Sequence, residues 1–426
     1  MENMSTAVNT SRLKTIGLRV TAFRGGLTGP LTTDAPKLVQ NLFLLFVFTI
    51  PFEAIDLGFM SGSLSLAKIP GFLFFASYCF YYSFLSPRRS FPCFPSAMWW
   101  FAAYVAVYAL NGLFISEELI GPFITRLLTL LQLIALFWLA SSSFREERIT
   151  RNIIVTFALA SVVLSLGNLL EFPGFSVVDS DRVSSLGHNP NTLAAIMAVS
   201  VLSIIGMTIV YKFRSPLRRI MFLGLAFPPL AVVVMTGSRG GMLALMLGLS
   251  LYILPCGAPK RLTTRLVVAC LAAVAVAYAI ANDSVALSRW TATFEEGSLA
   301  GRERIYPVAA EMILERPLFG WGPFEMFYEL GRRTRRLWKT MDAHNLLLHL
   351  GLEVGAAGTV PFLVGLWLCT RAAWRARAGK LGLLPLSLMV ATLAVNMSGT
   401  GLGRKFTWLI FALALGAGGK PQIRRT

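Results

Sequence analysis

Three short groupings of this chain combine residue types suited to chemistry. Thr236-Gly237-Ser238-Arg239-Gly240-Gly241 places one arginine in a glycine-rich connection. Glycines permit a sharp turn with open backbone N–H groups at a helix start, a geometry that accepts an anion. A purely structural turn explains the same residues. Arg302, with Arg304 close by, follows Gly301. The planar guanidinium fork donates bidentate hydrogen bonds to phosphate and stays charged, although a solvated surface pairing with Glu303 and Glu311 is the plainer alternative. His344-Asn345 stands at the mouth of an apolar run, two residues after Asp342. An imidazole there can take a proton near neutral pH, with Asp342 to orient it; an interfacial hydrogen-bonded histidine is the competing reading. His349 reads as a packing residue one step deeper, and His188-Asn189-Pro190-Asn191 as a helix entry turn. Arg126 and Glu353 fall inside apolar runs. Ionisable groups there are expensive, so a role or a mutual pairing is expected.

The elements that must hold these groups are membrane elements. Of 426 residues, 55% are hydrophobic and 14% charged, against roughly 25% charged in soluble domains. A helix of about 20 apolar residues crosses the hydrocarbon core. Candidate runs fall near 39–57, 69–85, 97–115, 119–140, 152–170, 191–211, 220–236, 240–255, 265–282, 343–369, 380–398 and 406–418. The fold class expected is an all-α integral membrane protein of about twelve transmembrane helices. The runs are too long and continuous for the alternating strands of a β-barrel.

Net charge is +18, which in a soluble protein would point to nucleic acid. Here basic residues collect in alternate loops: Arg88-Arg89, Arg145 to Arg148, Lys212 to Arg219, Lys260 to Arg265, and Arg371 to Lys380. That asymmetry is the positive-inside pattern; it predicts cytoplasmic termini, an outer interval 283–342, and no nucleic-acid partner. Residues 1–38 read as a basic cytoplasmic tail, 39–418 as one membrane domain, and 419–426 as a second tail. The five cysteines (Cys79, Cys93, Cys256, Cys270, Cys369) show neither a disulfide framework nor zinc spacing.

Within the outer interval, Ile305, Val308, Ala309, Met312 and Ile313 have helical spacing from Arg302 to Glu315, stopped by Pro317. Phe319 to Pro323 is a turn, and 325–330 another helical turn. The run Arg332 to Lys339 suggests a surface for anionic lipid or glycan. The whole reads as an amphipathic cap on the membrane surface. Two arginines and a histidine on one face suit a lipid-linked diphosphate: arginines hold the departing charge, and the imidazole deprotonates an incoming sugar hydroxyl. The expected reaction uses neither metal nor cofactor, although Asp179-Ser180-Asp181 has DxD spacing.

At this point the chain resembles the O-antigen ligase superfamily, with its O-antigen and exopolysaccharide polymerases. The resemblance rests on Leu64 to Ile69, Asn189 to Ala194, Thr236 to Gly240, Gly301 to Tyr306, Glu315 to Gly322, and His344-Asn345 through Glu353-Val354-Gly355. It covers roughly residues 40–415 and implies a GT-C-like fold with a large periplasmic loop between spans 9 and 10, in a bacterial inner membrane. The implied activity is metal-independent inverting transfer from an undecaprenyl-diphosphate-linked glycan. Arg239, Arg302 and His344 are the implied catalytic residues; Arg304, Asn345, Arg126, Asp342 and Ser238 are expected around the substrate. The acceptor is expected to be lipid A–core, with ligase favoured slightly over glycan polymerase and protein O-oligosaccharyltransferase. The rival from another class is a lipid-linked sugar transporter.

Overall fold

Asn189 begins the most buried helix of the protein. Its side chain accepts from Thr192 N at 2.8 Å and Pro190 fills the first helical position, a favoured helix start. The helix that follows is apolar on every side and buried on every side, the mark of a central element.

The computed structural model describes residues 37–56, 65–85, 94–144, 146–179, 182–254, 262–297, 301–335 and 340–419. The basic tail through residue 36, Leu64, the loop 86–89, Arg145, Lys260-Arg261, residues 336–339 of the basic run, the C-terminal residues 420–426, Cys93 and Cys256 lie outside them. The chain runs α1 (Lys37–Thr49), α2 (Lys68–Phe80), α3 (Ser96–Asn111), α4 (Ile120–Ser143) and α5 (Glu147–Leu169) into a hairpin of β1 (Val177–Asp179) and β2 (Arg182–Ser184). The central helix is α6 (Pro190–Val210), followed by α7 (Pro216–Gly224), α8 (Phe227–Met235), α9 (Arg239–Ser250) and α10 (Leu262–Asn282). The outer interval supplies α11 (Ser284–Glu296), α12 (Arg302–Glu315) and α13 (Glu325–Arg333). Then come α14 (Leu346–Ala376), α15 (Leu384–Asn396) and α16 (Lys405–Gly418).

The protein is mostly helical, in line with an all-α membrane protein, with one short β1–β2 hairpin. Among the described residues six helical segments are long and apolar enough to cross a membrane, or seven if α10 and α11, bent by 93°, count as one span. The remaining apolar runs form shorter helices, such as Arg239–Ile253, Leu384–Asn396 and Lys405–Gly418. The bend falls at Asp283, whose carboxylate caps α11 by accepting from Ala286 N at 2.7 Å. A polar capping residue starts a new helix there instead of continuing the old one.

The predicted helix over 302–315 and its stop before Pro317 match α12. The turn after it does more than connect. Helix α14 is broken at Gly355, whose φ of 56° and ψ of −162° lie in a region only glycine adopts readily. The break frees two carbonyls and two N–H groups, and outside groups take all four. Trp321 N donates to Leu352 O at 2.7 Å, and Asn111 Nδ2 to Glu353 O at 3.1 Å. Ala356 N donates to Pro317 O at 2.8 Å and Ala357 N to Leu318 O at 2.9 Å. Asn111 also donates to Phe319 O at 2.8 Å. Residues 317–321 are therefore stitched into α14 through backbone groups.

A Cβ on Gly355 would overlap the Leu318 carbonyl and Gly320 N. Gly355→Ala should cost about 3 kcal/mol, from left-handed strain plus displaced hydrogen bonds. Thermal unfolding of the purified protein should show the loss, whereas Gly399→Ala, in open space, should melt like wild type. Equal melting of all three would refute the stitch.

Candidate active site

Seven stretches from distant parts of the sequence meet at one end of the helices. Arg182 donates to Thr236 O at 2.9 Å and to Asn191 Oδ1 at 3.1 Å. Ser238 Oγ donates to the same Asn191 Oδ1 at 2.9 Å and accepts from Gly241 N at 3.3 Å. These bonds fix the 236–241 turn against the start of α6. Ser238 is buried and caps α9. Gly240 has no room for a Cβ because Ser398 Oγ stands there. The turn thus abuts loop 397–404, which joins α15 to α16.

Arg239 donates to Arg289 O at 3.2 Å and to Thr293 Oγ1, both on α11. Arg302, at the start of α12, donates through Nη2 to Ser398 O at 2.6 Å. Arg239, Arg289 and Arg302 are close enough for their charges to repel one another. Burial and then Arg302 hold the Arg289 guanidinium below its ordinary pKa. Three half-buried guanidiniums concentrated in this way attract an anion. The bend at Asp283 is what brings Arg289 here. It was missed in the sequence because Ser288-Arg289-Trp290 carries no motif, and only the turn of α11 back over α9 gives it meaning. Arg304, by contrast, is exposed on the outer side of α12.

The other half of the site is built on Asp342. Its Oδ1 accepts from His344 N at 3.1 Å and lies 3.4 Å from His349 Nδ1. Its Oδ2 accepts from Thr400 Oγ1 and lies 4.0 Å from His344 Nδ1. Burial pushes the Asp342 carboxyl up, but His349, Thr400 and His344 outweigh it and hold it well below the usual carboxylate range. His344 has a φ of 49° and a side chain 45% exposed. A non-glycine residue held in this strained region next to an open face is a mark of a functional position. Asn345 caps α14, accepting from Leu347 N at 2.9 Å and Leu348 N at 3.3 Å, so its amide oxygen is a helix-positioning group and not an evident substrate contact.

His349 packs in α14 as expected, yet it is more than packing. Its Nε2 lies 3.5 Å from Glu353 Oε1, and Tyr104 donates to Glu353 Oε2 at 3.2 Å. The i,i+4 spacing of His349 and Glu353 was the available signal. Arg126 is not ion-paired to Glu353; both line a separate cavity of about 330 Å³. His188 is buried, its Nε2 2.9 Å from Pro51 O, and burial lowers its pKa, consistent with a neutral packing residue. In the basic run, Arg332 pairs with Glu329 at 2.6 Å and Arg333 with Glu329 at 2.6 Å and with Glu315. These two arginines are engaged within the cap; residues 336–339 of the run lie outside the described residues.

Residues 224–363 match the family described as O-antigen ligase. The matched stretch, about a third of the chain, is similar to that family. It spans the end of α7 to the middle of α14, and holds Arg239, Arg289, Arg302, Asp342 and His344. No curated protein matches the chain.

An aspartate with a depressed folded pKa adds stability above its unfolded pKa of about 3.9, and loses it as pH falls through the folded value. Asp342→Asn should therefore cost about 1–3 kcal/mol at about pH 5, a gap that begins to shrink near about pH 4 and is gone only below the folded value. Chemical denaturation across that range checks it. A gap that closes between pH 8 and 5 would show that Asp342 is not held ionised.

Proposed function

We propose that the protein is a membrane glycosyltransferase moving a glycan from an undecaprenyl-diphosphate donor to an acceptor hydroxyl at the periplasmic face of a bacterial inner membrane. The observation that carries this is the double engagement of loop 397–404. Arg302 binds it at Ser398, beside Arg239 and Arg289, while Asp342 binds it at Thr400 and holds His344. One short loop joins an anion-binding group of arginines to an exposed imidazole.

The chemistry follows from those parts. The guanidiniums neutralise the diphosphate as it departs, a charge that grows in the transition state. His344 takes the acceptor hydroxyl proton, with Asp342 fixing the ring and stabilising the imidazolium. The acceptor oxygen forms a bond to the anomeric carbon while the bond from that carbon to the diphosphate oxygen breaks. The electron pair leaves with the diphosphate, and the anomeric centre inverts. The guanidiniums carry the role a divalent cation would otherwise fill, so we read the reaction as metal-independent. We favour ligase-type transfer to lipid A–core, in line with the family description; a glycan polymerase of the same family is the alternative. Transport fits less well, because the ionisable side chains gather at one end instead of lining a path across the bilayer.

Arg239→Ala, Arg302→Ala and His344→Ala should each reduce transfer at least about a hundredfold, with protein level and membrane insertion unchanged. Purified protein given donor and acceptor should release free undecaprenyl diphosphate along with product. Arg304→Ala should remain near wild type. Full transfer by all three of the first set would remove the assignment.

A further inference from the structure

The cavity of about 330 Å³ has walls that do not include His344, Arg239, Arg289 or Arg302. It shares the Asp342 neighbours His349 and Thr400, and adds Tyr108, Arg126, Glu353, Gly403, Arg404 and the rings of Phe324 and Phe327. Three features of this wall call for a ligand. Arg126 and Arg404 form no ion pair among the described residues; Arg404 reaches only Thr192 Oγ1, at 3.5 Å. The guanidinium of Arg126 rests where a Cβ of Gly403 would stand, next in sequence to Arg404, and both arginines line the cavity. The hydroxyl of Tyr108 is fully buried with no hydrogen-bond partner. Such an orphan is costly unless something in the cavity completes it.

Glu353 does not consume the arginines, since Tyr104 and His349 already hold its carboxylate. The combination of aromatic rings, a hydroxyl, a carboxylate and two guanidiniums suits a sugar that bears its own negative charge. The rings pack on its apolar face, Tyr108 and Glu353 meet its hydroxyls, and the paired guanidiniums grip a carboxylate or phosphate by bidentate hydrogen bonds. The volume lies at the low end for small-ligand sites, about right for one sugar residue.

We propose that this cavity is an acidic-sugar subsite for the acceptor glycan, a uronate or sugar phosphate. This rests on the glycosyltransferase reading. The subsite and the arginine trio flank one loop: Ser398 takes Arg302 on one side, and Gly403-Arg404 form the cavity wall on the other. With Asp342 touching both His344 and the Thr400 of that wall, an acceptor anchored in the cavity is held next to the base. The donor diphosphate stays on the arginine trio.

The test uses the full-length protein in detergent, with glucose 6-phosphate and methyl glucuronide as probes and methyl glucoside as the uncharged control. Calorimetry should show the two acidic probes binding wild type at least about tenfold more tightly than the control. Arg126→Gln and Arg404→Gln should lose about ten- to a hundredfold of that binding, while binding of undecaprenyl diphosphate is unchanged. In transfer assays the acidic probes should compete with acceptor and not with donor. The proposal is overturned if methyl glucoside binds as well, if neither substitution weakens the acidic probes, or if the probes compete with donor alone. Wild-type calorimetry decides the point even where a variant fails to fold. Because it needs no turnover, acidic-sugar binding by a protein that transfers nothing would keep the cavity and discard the enzymatic reading.

Discussion

A helix broken inside a membrane leaves backbone groups that water cannot reach, and each must find a partner in the protein. The break of α14 at Gly355 obeys this fully: Leu352 O, Glu353 O, Ala356 N and Ala357 N all bond to Asn111 or to residues 317–321. Each bond is worth about 1 kcal/mol net, but leaving one unmade costs about 1–3 kcal/mol. The pairing is thus enforced from both sides. It ties the outer interval to the first turns of α14, and those turns begin with Asp342, His344 and the Asn345 cap. The placement of the candidate base follows from a backbone requirement several residues away.

The opposite edge of the site is fixed by side-chain hydrogen bonds to main-chain groups and by close backbone approach. Arg182 and Asn191 hold the 236–241 turn, Gly240 lets it meet Ser398, and the bend at Asp283 turns α11 back toward it. Charge then accumulates where helices end. Guanidiniums repel one another at this spacing, and burial strengthens the repulsion; an anionic substrate relieves it. A groove of about 800 Å³ along Thr208 to Leu223 lies near the far end of α6 from this site. That helix of 21 residues is about 30 Å long, so size alone is a poor guide to where the chemistry sits.

Much of this was legible in the sequence, for physical reasons that can be named. The limits of α12 followed from apolar spacing and Pro317, and the start of α6 from Asn189-Pro190. Arg239, Arg302, Asp342 and His344 stood out because they were charged or titratable at the edges of apolar runs. Two stretches quoted for family resemblance, 315–322 and 353–355, turn out to be the two sides of one backbone stitch. No local pattern could show that, since they pair across a helix break. Arg289 was invisible for the same reason: its position depends on a 93° bend. Ser238 and Asn345 both cap helices, a role that a sequence does not separate from ligand binding until the hydrogen bonds are seen. Apolar runs do not reveal where a helix stops short, so several of them form the shorter helices of the described residues.

The central claim is that the lipid diphosphate is held by arginines drawn together from three separate elements. A cryo-electron-microscopy structure of the protein with undecaprenyl diphosphate tests it most directly. The account predicts diphosphate density contacting Arg239, Arg289 and Arg302, next to Ser398 and on the His344 side of loop 397–404. Density for the diphosphate in the Arg126–Arg404 cavity, or at the far end of α6, would contradict it.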